Sequence, residues 1–411
     1  MEGKKKSFAL GYSYVVHSFI SYMLIAFIFI CFSNTVIPDF VEKFGWNETL
    51  LSTFNSVGAI IAALLSIFIG QWVEAKGPKQ VLILGYLVGG VNMILFSFCS
   101  SVGLFCVHMI IAHVCAQMYC QMTTNNLIAR WFVKKKGAVL GVTTAGLPAG
   151  TAALMPLYTV VAAATSMIGG MIVIGAIMLV MGILSIFWVK NDPSEVGLTP
   201  DNLPVEEKKT SGIVMKNYTF KQLLTNKVVW ALIIIFGIMF LSTIASSAQR
   251  VAYFVQAGYD TSVAVGIMSS SALCGILGSV IFGIIDQKWG TKAASVIYIV
   301  LSIIAYAVMY LVSGWIIIPL SYISAALTGA PGNLLPSYLI SMFGPESFNS
   351  ASKIITPCVC LLRALGYVIA SAFAIIFAGG LAKGIYLGLA ILMVVSLIVI
   401  IPLKTRRIEI D

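Results

Sequence analysis

The chain has 411 residues, of which 59% are hydrophobic and only 10% are charged, and its formal net charge is +10. Soluble proteins of this length carry about a quarter charged residues, so this composition excludes a protein whose whole surface meets water. The basic residues form short clusters between apolar runs, as in membrane proteins. We therefore expect a lipid bilayer around the chain and no nucleic acid partner.

Apolar runs of about 20 residues, the length that crosses a bilayer, recur along the chain. They predict an all-α polytopic membrane protein with about twelve transmembrane helices in two six-helix bundles. The runs cover 12–37, 49–73, 80–99, 103–128, 137–163, 168–189, 228–249, 261–284, 292–311, 315–341, 350–378 and 384–403. The long polar stretch 190–226 predicts a cytoplasmic linker. We expect an N-terminal bundle over 1–189 and a C-terminal bundle over 227–411.

Alternate loops carry the positive charge, which predicts the orientation of the chain. The basic side has Lys4–Lys6, Lys76, Lys79, Arg130, Lys134–Lys136, the 190–226 segment, Lys288, Lys292, Lys404, Arg406 and Arg407. By the positive-inside rule both termini are cytoplasmic. No small-residue cleavage site follows the first apolar run, so we expect no cleavable signal peptide. We expect a multi-pass monomer in the plasma (cell inner) membrane.

One loop motif occurs in both halves. Each copy reads G-x6-G-x-K with an acid between the glycines: Gly70, Glu74, Gly77 and Lys79 in the first, and Gly283, Asp286, Gly290 and Lys292 in the second. Glycines let two helices cross closely, and the acid can cap a neighbouring helix or pair with a base. Internal repeats of this kind are typical of transporter folds.

These motifs resemble the major facilitator superfamily, whose signature loop is glycine, three residues, an acid, two residues, glycine and then bases. The first copy matches, whereas in the second copy Gln287 occupies the acid position and Asp286 lies one residue earlier. The basic stretch 130–137 resembles the loop after the fourth span in the same families. The segment 191–200 resembles the sequence after the sixth span in the oxalate/formate antiporter and monocarboxylate transporter branch.

The resemblance implies two six-helix bundles around a central cavity, with the substrate bound near the midplane and transported by alternating access. It also implies that the two signature loops act as a conformational latch that holds the cytoplasmic side closed. The branch typically clamps a dicarboxylate between basic residues on the eighth and eleventh spans. The predicted eighth span has no basic residue.

Arg363 is the clearest candidate for substrate binding. It lies about 20 Å along the predicted eleventh span, near the middle of a core about 30 Å thick, where charged residues are usually functional. Residues three or four apart place a polar stripe on its helix: Lys353, Thr356, Cys360, Arg363, Tyr367 and Ser371. The alternative is that Arg363 caps carbonyl groups of a helix broken at Pro357.

No Asp or Glu lies deep inside a predicted span, so an anionic substrate would balance the charge of Arg363. One central cation fits a monoanion better than a dianion. Arg250 ends the seventh span, about 33 Å from the start of that span and close to the external interface. It is either an exposed interfacial arginine or a residue that attracts anions to the mouth.

Neutral polar residues offer further candidates for hydrogen bonds to substrate. On the fourth span His113, Gln117 and Gln121 share one face, and Asn333 lies on the tenth span. Each of these residues could instead hold helices together, and His113 could carry a proton.

The sequence contains no catalytic constellation, phosphate loop or metal-ligand cluster, so we expect no enzyme activity and no cofactor. The sequence predicts a secondary transporter of small, monocarboxylate-like organic anions, working by exchange or proton-linked symport. The alternatives are a carrier of neutral or zwitterionic solutes, and a membrane sensor that keeps the fold without transporting.

Overall fold

The computed structural model describes residues 2–132, 136–200 and 220–403. The described backbone is helical with no strand, which confirms the predicted all-α class. Within these described ranges, twelve helical stretches are long and apolar enough to cross a membrane, and we number them spans 1 to 12. They cover Leu10–Phe44, Glu48–Ser66, Pro78–Phe96, Val102–Ile128, Val139–Ala164, Met167–Trp188, Lys227–Ala248, Thr261–Trp289, Thr291–Leu311, Gly314–Phe343, Ile354–Ala378 and Lys383–Ile400.

The chain divides into two compact units, unit 1 over Met1–Lys209 and unit 2 over Thr210–Asp411. The helices of unit 1 are Glu2–Ala26, Phe27–Val36, Ile37–Phe44, Glu48–Lys76, Pro78–Phe96, Val102–Ala116, Gln117–Gln121, Met122–Trp131, Lys136–Thr144, Gly146–Ala164, Met167–Trp188 and Pro193–Val196. The helices of unit 2 are Phe220–Thr225, Lys227–Ala248, Arg250–Gln256, Thr261–Ala272, Cys274–Trp289, Thr291–Leu311, Gly314–Ile316, Ile317–Leu327, Pro331–Ala364, Gly366–Ala378 and Lys383–Ile400.

Half of the spans are interrupted. Spans 2, 3, 6, 7, 9 and 12 each lie within a single α-helix. Span 1 contains a π-helical stretch at 27–36 and span 4 contains one at 117–121, while span 11 breaks at Leu365. Span 7 ends at a break at Gln249, after which the short helix Arg250–Gln256 follows. Such breaks expose backbone groups, and in membrane proteins they are tolerated where protein or a cavity surrounds them. The functional site is therefore expected at the interrupted spans.

Glycines bring the helices of each unit into close contact. A Cβ atom built on Gly90 of span 3 would lie 2.8 Å from the carbonyl oxygen of Gly175 on span 6, and the reverse distance is the same. In unit 2, a Cβ on Gly278 of span 8 would overlap the carbonyl oxygen of Ala326 on span 10. Small residues at these crossings let the two backbones meet, as is usual between membrane helices.

The start of the predicted linker is part of unit 1. The Tyr14 hydroxyl donates to the carbonyl of Trp188 and accepts from the backbone N–H of Lys190, both at 3.2 Å. Asp192 accepts a 2.8 Å hydrogen bond from Arg130 in an ion pair. Residues 190–192 are thus attached to the helices of spans 1 and 4, although their sequence has the polarity of a linker. The remaining predicted linker residues at 201–219 lie outside the described part of the chain.

Candidate substrate-binding residues and signature loops

Arg363 lies inside span 11, two residues before the break at Leu365. Cys360 and Tyr367 lie one turn to either side of Arg363, close enough to interact electrostatically with its guanidinium group. Tyr367 is buried, whereas Arg363 and Cys360 are half-buried. The structure therefore brings these three candidates together on the predicted face. The helix passes through Pro357 without a break and breaks at Leu365 instead. The predicted location of the break is therefore wrong, whereas the capping of carbonyl groups by Arg363 stays a prediction.

The fourth candidate on this span, Thr356, lies about two turns before Arg363. It is half-buried, and its hydroxyl is 3.0 Å from the hydroxyl of Ser352. The side chain of Lys353 lies outside the described part of the chain.

Span 11 packs directly on span 7. A Cβ on Gly366 would lie 3.0 Å from the carbonyl oxygen of Leu241, so the backbone of span 11 is close to span 7 at its break. The Gln249 amide, at the break of span 7, donates to the Ser371 hydroxyl at 3.1 Å. The two breaks therefore belong to one pair of neighbouring helices. Each break has an arginine beside it, Arg250 directly after span 7 and Arg363 on span 11.

Arg250 is only 2% exposed, so the prediction of an exposed interfacial arginine is wrong. Its side chain folds back along span 7, where Nε donates to the carbonyl of Ser246 at 3.3 Å. Nη2 donates to the Ser324 hydroxyl of span 10 at 3.1 Å. The depth of Arg250 counted along a straight helix did not predict its burial. The side chain points back toward the helix N-terminus, and neighbouring spans enclose it.

The polar face of span 4 joins a network inside unit 1. His113 is 1% exposed, and its Nε2 is 2.5 Å from Oδ1 of Asn55 on span 2. The Asn55 amide nitrogen donates to the Ser33 hydroxyl at 2.8 Å, so the amide oxygen faces His113. Nε2 therefore carries the proton in this hydrogen bond, and a further proton would have to bind at Nδ1. Phe29, in the π-helical stretch of span 1, stacks on the imidazole at 5.3 Å.

The other two candidates on span 4 lie in its π-helical stretch. Gln117 is 6% exposed, and its Oε1 has no hydrogen-bond donor among the described residues. Gln121 is half-buried. π-Helical turns are often found at functional sites, so these two residues stay candidates for contacts with substrate.

Asn333 connects two helices. Its amide nitrogen donates to the Ser279 hydroxyl at 2.5 Å and to the carbonyl of the same residue at 3.2 Å. Asn333 thus ties span 10 to span 8 beside their close glycine crossing. These bonds favour a role in helix packing over a contact with substrate.

The two signature loops have the same backbone turn. Gly77 has φ +82° and ψ 162°, and Gly290 has φ +84° and ψ 158°. Each glycine ends one helix, and the next helix begins at the following residue. Only glycine adopts this conformation without strain. The repeat predicted from the sequence is therefore a repeat in three dimensions.

Each turn is attached to the end of the last span of its own unit, but by different chemistry. In unit 1, the backbone N–H of Lys79 donates to Oδ1 of Asn191 at 2.9 Å, just after span 6. In unit 2, Nζ of Lys292 donates to the carbonyls of Ile401 and Leu403, both at 2.8 Å, just after span 12. Sequence analysis missed Asn191 because it caps a helix distant in sequence.

The remaining signature residues divide between packed and open positions. The Asp286 carboxylate accepts a 2.5 Å hydrogen bond from the Ser337 hydroxyl on span 10, so it holds a neighbouring helix through a hydroxyl. Among the described residues it neither caps a helix nor pairs with a base. Gly70 and Gly283 would have no atom within 4 Å of an added Cβ, so the predicted close helix crossing is wrong at both. The side chain of Glu74 lies outside the described part of the chain.

The described residues include no group of three or more His, Cys, Asp or Glu side chains that could hold a metal ion.

Asn55 and Ser324 were not predicted from the sequence. They form hydrogen bonds with His113 and Arg250, the two most buried ionisable candidates. A signal existed for Asn55, because an amide inside an apolar span needs a hydrogen-bond partner.

Twelve spans in two units with matching signature turns define a membrane transporter. The profile of the Major Facilitator Superfamily matches residues 18–367, and the chain belongs to this family. It is 21% identical over 308 residues to Multidrug resistance protein 2 of Bacillus subtilis (strain 168), covering 72% of this chain and 73% of that protein.

Solved structures show the same fold. Two crystal structures of a bacterial homolog of the human lysosomal transporter Spinster, both inward-facing, are similar to this chain. The unoccupied form has 13% identity, a TM-score of 0.68 and coverage of 97% of this chain and 95% of that one. The occupied form has 12% identity, a TM-score of 0.69 and coverage of 94% of each chain.

Proposed function

We propose that this transporter carries small, monocarboxylate-like organic anions by alternating access, through exchange or proton-linked symport. The observation that carries the proposal is the placement of charge in unit 2. Among its described residues, the acids Asp260 and Asp286 lie toward helix ends, whereas Arg250 and Arg363 lie beside the breaks of two packed spans. Cationic side chains at this depth favour an anionic ligand.

Arg363 is the proposed centre of substrate binding. It is half-buried, so a ligand can reach it, and Cys360 and Tyr367 flank it on the same face. A single guanidinium can bind one carboxylate through two parallel hydrogen bonds. This supports a monoanion over the dicarboxylate typical of the oxalate/formate branch that the sequence resembles.

The test is uptake of labelled formate, acetate, lactate and oxalate into proteoliposomes. Arg363→Gln should reduce uptake of the transported anion at least about tenfold, because a lost charge-assisted hydrogen bond costs about 1.5–3 kcal/mol. Arg363→Lys should retain part of the activity. Lys383→Gln removes a positive charge from an exposed helix start and should transport like wild type. Wild-type uptake by Arg363→Gln would overturn the anion site.

A second candidate function is drug export, which is favoured by the similarity to Multidrug resistance protein 2. Many lipophilic drugs are cations, and the positive charge of Arg363 would repel them. Efflux of ethidium from cells expressing the chain, measured with and without Arg363→Gln, separates the two functions. Efflux by the wild type that increases in the variant would favour drug export.

We further propose that both termini are cytoplasmic, that the protein is a monomer in the plasma membrane, and that the signature loops act as a latch. The charge distribution supports the orientation. The attachment of both loops to the ends of spans 6 and 12 supports a latch that moves with its own unit.

A further inference from the structure

The charge of Arg250 is enclosed inside unit 2. The residues that touch it, Ser246, Ser324 and Tyr386, are each at most 1% exposed. These three residues belong to spans 7, 10 and 12. Tyr306 of span 9 also lies close enough to interact electrostatically with Arg250. Of these four spans, spans 7, 9 and 12 are unbroken helices. This enclosure distinguishes Arg250 from the half-buried Arg363.

The described contacts of Arg250 are all with neutral groups. They are one backbone carbonyl and the hydroxyls of Ser324 and Tyr386. Within the described part of the chain, no carboxylate lies within 4.0 Å of its guanidinium. Arginine keeps its charge in proteins, and a buried cation without a counter-charge is strongly destabilising. An anion bound beside Arg250 would supply the missing charge.

The surrounding groups can complete an anion site. Ser324 accepts its hydrogen bond from Arg250, which leaves the serine hydroxyl hydrogen to donate. One turn away on spans 7 and 10, the fully buried hydroxyls of Ser242 and Ser321 have no hydrogen-bond partner among the described residues. A guanidinium with several hydroxyl donors in an apolar interior is suited to a small inorganic anion.

We propose that unit 2 contains an interior site for a small monovalent anion, with chloride as its simplest occupant, centred on Arg250 and separate from Arg363. A halide needs only the donors around Arg250 to replace its water, whereas a ligand with a carbon skeleton would also need space among the buried side chains that enclose Arg250. The site therefore serves the stability of unit 2, and it does not depend on which substrate is transported.

The test is thermal unfolding of the purified full chain at constant ionic strength, with sodium chloride replacing sodium gluconate. A ligand that binds only the folded state raises the melting temperature in a saturable way, and we expect a rise of about 2–5 °C. Bromide and nitrate should act like chloride. Arg250→Met should melt at or above the wild-type temperature in gluconate, because it removes the uncompensated charge, and should lose the chloride response.

Arg363→Gln is the matched control and should keep the full chloride response. If Arg250→Met does not fold, binding of radiolabelled chloride to the wild type and to Ser324→Ala decides the question, with at least about threefold weaker binding expected in the variant. A wild-type melting temperature that does not change when chloride replaces gluconate would contradict the proposed anion site. Loss of the response in Arg363→Gln, or displacement of chloride by the transported anion, would assign the ion to the substrate site instead.

Discussion

At the scale of single residues, the signature glycines have separable roles. Gly77 and Gly290 share a backbone conformation that strains other residues, but only Gly77 is also crowded, because a Cβ there would overlap Asn191. Gly70 lies within a helix with open space around it. Gly77 is therefore needed for both its backbone conformation and its small size. Gly290, at the same place in the second copy, is needed for its backbone conformation alone, and Gly70 is needed for neither.

Alanine substitutions should rank in that order in thermal unfolding. Gly290→Ala should lose about 1–3 kcal/mol from backbone strain, and Gly77→Ala should lose more. Gly70→Ala should be neutral or gain up to about 1 kcal/mol, because alanine favours helix. In a double-mutant cycle, Asn191→Gly should recover part of the loss in Gly77→Ala. Equal destabilisation by Gly70→Ala and Gly77→Ala would contradict this account.

The His113–Asn55–Ser33 network offers a test of helix packing against substrate binding. Asn55→Leu leaves the buried Nε2–H of His113 without its acceptor and should cost about 1–3 kcal/mol. If the network only holds spans 1, 2 and 4 together, transport at a temperature well below melting should be unchanged. Asn125→Leu, which removes an exposed hydrogen bond from Tyr22 of span 1 to span 4, is the control for the loss of an inter-span contact outside the network. A change in the pH dependence of uptake would instead support proton carriage by His113.

At the scale of elements, the sequence predicts where the spans lie but not where they break. Apolar runs reflect the thickness of the bilayer, so span 9, predicted over 292–311, is observed as Thr291–Leu311. The break at Leu365 lies where Gly366 packs on the backbone of span 7, and this contact between residues distant in sequence cannot be seen in the apolar run of span 11. Likewise, Arg250 is buried because Ser324 and Tyr386 come from distant spans, which a count of residues along one helix does not include.

The crossing of spans 8 and 10 predicts a sharp contrast between two glycines on one helix. Gly278→Ala would place a methyl group on the backbone of span 10 and should cost about 3 kcal/mol or lose the folded protein. Gly283→Ala, five residues later with open space around it, should be as stable as wild type. Expression level and melting temperature check both. If Gly283→Ala is stable yet transports poorly, the latch role of its loop gains support.

At the scale of the whole molecule, the two units share a scaffold and differ in chemistry. All three histidines, His17, His108 and His113, belong to unit 1. The arginines beside helix breaks, Arg250 and Arg363, belong to unit 2. The repeat could be predicted because the same loop motif is present in both halves of the sequence. The enclosure of Arg250 could not be predicted, because it depends on residues of distant spans.

The proposed orientation can be tested at two matched turns. Gly197 and Gly258 both have positive φ, and neither would have an atom within 4 Å of an added Cβ, so short insertions there should be tolerated. A protease site at Gly258 should be cut from outside intact cells, and one at Gly197 only after the membrane is opened. A tag after Asp411 should behave like the site at Gly197. The opposite pattern would reverse the orientation.

The paired turns at Gly77 and Gly290 also carry information about ancestry. If the two halves descend from one duplicated gene, the torsion angles of the turn have outlasted nearly all of the surrounding sequence. Their attachments have not, since one copy uses an asparagine side chain as acceptor and the other a lysine side chain as donor. Such descent would keep glycine at the turn because other residues are strained there, whereas different residues could supply the attachment in each half.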